Sequence, residues 1–172
     1  MTFEATMDGT RAEILGALIG AIAGALGATL ITRWSILFER KTAALETVQA
    51  LADEARFNAK LLRHRDEHDW DFSPSGLERQ AFDAALPVLH VLPPDLRDDA
   101  RDARSKVLYL IYIETMLAEM PATPSAAAEG MVKQQQTLLA TLPDALEALA
   151  ANVETFVAGE RRLRWLIDRR PR

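Results

Sequence analysis

The alternation of apolar and polar positions changes character at two points along the chain. From Ile14 to Thr32 the sequence reads ILGALIGAIAGALGATLIT, nineteen residues without a charge, and from Arg33 onward apolar residues recur at helical spacing among charged ones. As a helix rising about 1.5 Å per residue, the uncharged stretch is about 28 Å long, close to the roughly 30 Å of a bilayer's hydrocarbon core. It is therefore predicted to be a transmembrane helix. At about 100° per residue, Gly16, Gly20, Gly24 and Gly27 share one face, flanked by Ala17, Ala23 and Ala28. Leu15, Leu18, Ile19, Ile22, Leu26 and Leu30 fill the other. Small residues on one face and large aliphatics on the other suit close packing against a second helix with the bulk turned to lipid. With no second span in this sequence, the expected partner is another copy or another protein.

Two other readings of this stretch fit less well. A signal peptide wants a basic start, whereas the leader MTFEATMDGTRAE carries Glu4, Asp8 and Glu13 against Arg11. A buried soluble helix would be weakened by about 0.8 to 1 kcal/mol at each glycine relative to alanine.

Beyond the span, no Gly or Pro interrupts the chain from Arg33 to Arg65. Leu37, Lys41, Ala44, Val48, Leu51, Ala55, Asn58, Leu62 and Arg65 step by fours and threes, the spacing of a heptad seam. The span is thus expected to continue as a stalk whose seam receives the chain's own later helices. Asn58 in that seam calls for a buried hydrogen bond that fixes register or partner.

Ser73-Pro74-Ser75-Gly76 reads as a turn, with Ser75 and Glu78 as a capping box for a helix to about Leu92 that contains Leu77, Phe82, Leu86 and Leu89 and is kinked at Pro87. Leu92-Pro93-Pro94-Asp95 closes it. The run Val107 to Ile113, VLYLIYI, is taken as the middle of a central buried helix, since no second strand exists to pair with it. Thr123 and Pro124 form the next helix start. A last helix, or a pair broken at Pro143, runs from Ser125 to about Arg169 with Leu142, Leu146, Leu149, Val153, Phe156, Leu163 and Ile167 on one stripe. The fold class expected is all-α: an N-terminal transmembrane helix continuing into a stalk, then a bundle of four to five helices. The expected organisation is a short outer tail over 1–13, the span over 14–32, and the stalk and helical domain over 33–172.

Charge sets the orientation. Arg11 alone precedes the span, whereas Arg33, Arg40 and Lys41 follow it, which predicts the N-terminus outside and the C-terminus cytoplasmic. A net charge of −5, spread along the chain, argues against DNA as a partner. Cysteine is absent, so thiolate chemistry and disulfides are excluded.

Candidate chemistry concentrates in Arg63 to Asp71, RHRDEHDWD. Arg63 and His68 resemble the R-x4-H motif of the helical ribonuclease fold called HEPN, and that resemblance implies histidine as acid or base and arginine steadying a phosphate. His64, Glu67 and His68 also spell H-x-x-E-H, a zinc pattern that requires a third acidic ligand downstream, and none is evident. The competing reading is a solvated helix end with local ion pairs, and on it no catalytic residue, metal or cofactor is expected. The tail ERRLRWLIDRRPR sets Arg161, Arg162, Arg164, Arg169 and Arg170 around Trp165, a surface suited to lipid head groups or another anion such as RNA.

The layout resembles small bacterial one-pass membrane proteins with a helical cytoplasmic domain that are associated with phage defence. The resemblance rests on the glycine-rich span, the Asn in an apolar seam, LERQAFDAAL, the LPPDL break and the apolar helix. Within that group it is similar to the membrane accessory proteins of type VI CRISPR systems, which form membrane rings and carry a domain like the helical ribonuclease fold called HEPN. The resemblance implies a self-assembling inner-membrane protein forming a ring or pore, with membrane lipid, further copies of itself and a defence-system protein or RNA as partners. It would match Arg63 and His68 to the ribonuclease pair. The alternatives are a membrane-tethered ribonuclease using that pair and a non-catalytic scaffold for a cytoplasmic partner.

Overall fold

Glu4–His64, sixty-one residues with no proline, form a single helix, α1. The computed structural model describes residues 4–65, 76–120 and 126–168, with side-chain surroundings over 16–65, 76–120 and 126–162. Three more helices follow, α2 (Gln80–Ala85), α3 (Pro94–Glu119) and α4 (Ala126–Asp168), with a 3-10 helix, Leu86–Val91, between α2 and α3. Among the described residues there is no strand. The chain divides into two units, Met1–Thr42 and Ala43–Arg172.

The second unit is a helical bundle with one core. On α1 the buried positions are Ala44, Leu45, Val48, Leu51, Ala52, Glu54, Ala55, Asn58, Ala59 and Leu62, so the seam spacing is realised from Ala44 to Leu62. Leu37 and Lys41, its first two predicted members, are exposed; they belong to the first unit. Ala52, Ala55 and Ala59 on this face let neighbouring helices approach closely, and Leu142, Leu146, Leu149, Val153 and Val157 of α4 supply bulk to the same core. Phe156 packs at its edge.

Where the sequence reading and the structure differ, prolines are the main reason. The helix expected over 75–92 is split. α2 begins at Gln80, and from Leu86 the backbone tightens to the 3-10 form around Pro87, which has no N–H to continue an α-helical ladder. Three residues per turn rotate Leu86 outward, 41% exposed, while Phe82 and Leu89 stay buried. Ser75, Thr123 and Pro124, the expected helix starts, lie outside the described residues. Pro143 does not break α4; it sits inside one continuous helix and is itself buried. α3 opens with Pro93 at its cap and Pro94 at its first position, and it buries one face only. Val107, Leu110 and Ile113 are in the core, but Tyr109 and Tyr112 are exposed and stacked on each other, so the apolar run is not buried all round.

Candidate functional site

The apolar segment of α1 is a surface. By length and composition α1 contains a helix able to cross a membrane, and none of its most apolar window is buried in the protein. Leu18, Ile19, Ile22, Leu26 and Leu30 are all more than half exposed. A Cβ placed on Gly16, Gly20, Gly24 or Gly27 would meet nothing within 4 Å. Among the described residues, therefore, none packs against these glycines. The polar side chains of the stretch are already satisfied: the hydroxyls of Thr29 and Thr32 donate to the carbonyls of Ala25 and Ala28 at 2.8 and 2.9 Å. Such back-bonding is what a hydroxyl needs where water is absent.

Arg63, the residue matched to the ribonuclease arginine, is held by two carboxylates of α4. Its Nη2 donates to Asp144 Oδ1 at 2.7 Å and its Nη1 pairs with Glu147 Oε2 at 2.5 Å. Donating hydrogen bonds to Asp144 and Glu147 raises its pKa above the ordinary arginine value. The two carboxylates offset the positive charge that a phosphate would need from this guanidinium. Next to it, His64 Nδ1 lies 2.9 Å from the Lys60 carbonyl and so donates to it, which turns one ring nitrogen into the helix end. His68 and Glu67 lie outside the described residues, and among the described residues no His, Asp and Glu cluster could hold a metal ion.

Three buried polar groups of the bundle are held by hydrogen bonds, Asn58 as its seam position predicts and Glu54 and Glu114 without a prior expectation. Glu54, only 5% exposed, turns toward α2, where its two carboxylate oxygens accept the backbone N–H groups of Ala81 and Phe82 at 2.6 and 3.0 Å. One turn on, Asn58 is fully buried and pairs with the backbone of Glu78 on both sides, its Nδ2 donating to the carbonyl at 2.7 Å and its Oδ1 accepting the N–H at 2.9 Å. α2 has no side-chain cap of its own, so Glu54 supplies from another helix what an N-cap residue supplies locally. The groove of about 790 Å³ beside this clamp, lined by Ala50, Asp53, Phe57, Arg79 and Ala84, thus contains a carboxylate whose acceptors are occupied. Glu114, the third, is buried on α3 and accepts from Arg65 Nη1 at 2.8 Å and Gln135 Nε2 at 3.1 Å. The available signal was an acidic residue standing on an otherwise apolar stripe.

Arg56 and Glu154 join α1 to α4 through a two-pronged pair, with Arg56 Nη2 donating to Glu154 Oε2 at 2.7 Å and Nη1 to Oε1. The Arg56 hydrogen bond holds the Glu154 carboxyl below its ordinary 4.5, outweighing partial burial. A carboxylate lowered in the folded state adds stability above its unfolded value and loses it as the pH falls through the folded one. Glu154→Gln should therefore destabilise the bundle by less than about 1 kcal/mol at neutral pH, the pair being about one-third exposed, and by progressively less below about pH 4.5. Melting curves of parent and variant across that range check the convergence.

Of the basic tail, Arg161 and Arg162 are exposed on α4. Arg164 and Trp165 lie in its last turns with side chains outside the described set, and Arg169 and Arg170 lie beyond the described residues. No family model matches the chain, and searches of curated proteins and of solved structures return no match.

Proposed function

We propose that the chain is a non-enzymatic, one-pass inner-membrane protein whose copies associate through the glycine face of Gly16, Gly20, Gly24 and Gly27, with the helical bundle on the cytoplasmic side. The observation that carries this reading is the unburied apolar segment of α1 with four glycines that nothing in the chain approaches. In water such a face would be an exposed apolar patch, whereas in lipid it is a contact surface for another helix. The acidic company of Arg63 favours an ion-paired helix end over a phosphate site, and so favours the non-catalytic reading over a tethered ribonuclease.

Alkaline carbonate should leave the protein in the membrane pellet, and a reporter active only in the cytoplasm should work when fused to the C-terminus. Extraction by carbonate would remove the membrane reading. Exported-side activity of the fusion would reverse the orientation.

A further inference from the structure

Arg56, Arg63, Arg65 and Arg104 of the bundle each meet a carboxylate from another element. Glu78 and Arg79 are the contrast. They stand side by side at the groove of about 790 Å³ between α1 and α2, both exposed, and among the described residues neither side chain has a hydrogen bond or ion pair. Ala81 and Ala84 line the α2 side of the groove with methyl groups, and Phe57, 45% exposed, lines the α1 side. Asp53, one turn before Phe57 on the same face of α1, adds a second exposed carboxylate. A large aromatic, a hollow walled by alanines and charge of both signs therefore share one face. That combination is complementary to itself. A two-fold related copy offers an aromatic to the hollow and a hollow to the aromatic, carboxylates to Arg79 and an arginine to the carboxylates. A partner of one sign would leave the other sign unmatched.

We propose that this groove is a contact between two copies of the chain, with Phe57 of each copy seated against Ala81 and Ala84 of the other and Arg79 facing Asp53 and Glu78 across the two-fold axis. The contact goes beyond the glycine face, since every residue in it belongs to the second unit. An aromatic side chain set into a hollow is the usual anchor of such a patch. With one anchor from each copy, the contact is weaker than the interfaces of about 800 Å² per partner that stable complexes use, so crosslinking reads it better than isolation of a dimer.

The test uses the full chain with Phe57 replaced by the photoreactive p-benzoylphenylalanine, which keeps an aromatic ring at that position. Isotopically light and heavy copies are mixed in mild detergent and irradiated, so that a crosslink between copies is told from one within a copy by its mass. Heavy–light crosslinks should map to Gln80–Ala85 of the opposite copy. Arg79→Glu, which sets like charges against each other, should lower their yield about tenfold, and adding Asp53→Lys and Glu78→Lys to it should restore the yield. Melting curves show that each variant is folded. None of these changes touches the glycine face, so the charge dependence of the yield belongs to the groove alone. Crosslinks only within one copy, heavy–light crosslinks outside Gln80–Ala85, or a yield indifferent to Arg79→Glu would each overturn the proposal.

Discussion

Asn58→Ala should lower the stability of the bundle by about 1 to 3 kcal/mol, because it removes two hydrogen bonds to the backbone of Glu78, each with a net worth of about 0.5 to 1.5 kcal/mol, from a fully buried side chain. Against a total of about 5 to 15 kcal/mol for a domain, that is a large share. The effect should concentrate in the segment leading into α2, since Glu54 one turn away holds its first N–H groups. Glu54→Gln offers one acceptor where two are needed, and combined with Asn58→Ala it should cost less than the sum, because both residues secure the same segment. Thermal melting in mild detergent measures the loss, with Asp53→Asn at an exposed neighbouring position as the near-neutral control. A melting temperature for Asn58→Ala within a degree or so of the parent would mean that α2 is held by Phe82 and its apolar neighbours alone.

Gly20→Leu should abolish most of the self-association while leaving the bundle folded. The added side chain meets nothing within its own chain, so any change it produces arises between chains. In lipid, helices associate by close packing and not by exclusion of water, so a leucine that holds the backbones apart removes the attraction itself. A loss of at least about tenfold in the association constant, or about 1.4 kcal/mol, is expected. Ile22→Leu, at a position 53% exposed on the other face, keeps its bulk and should leave the assembly unchanged. Native mass measurement in detergent distinguishes a defined oligomer from monomer for each variant.

The helices were legible in the sequence because their periodicity is long and regular, and the α1 seam from Ala44 to Leu62 shows this most plainly. The departures came from backbone chemistry that periodicity does not carry. Pro87 converts a helical stripe to three residues per turn and turns Leu86 outward, whereas Pro143 is absorbed without ending α4. Asn58 was legible as a buried hydrogen-bonding residue, though its partner, the backbone of Glu78, was not. Glu54 and Glu114 are marked in the sequence only by standing on otherwise apolar stripes, and the partners that hold them come from the facing elements. Arg63 drew notice for its spacing to His68, but what surrounds it is set by Asp144 and Glu147, some eighty residues away.

The glycine face is tested most directly by a crosslinking scan. In a chain that has no cysteine of its own, single cysteines are introduced one at a time from Gly16 to Leu30 and oxidised in native membranes. Contact through the glycine face predicts dimer yields that peak at Gly16, Gly20, Gly24 and Gly27 and fall to a minimum at Leu18, Ile22, Ala25 and Thr29, with helical periodicity. Uniformly low yields, or a maximum on the large aliphatic face, would contradict it.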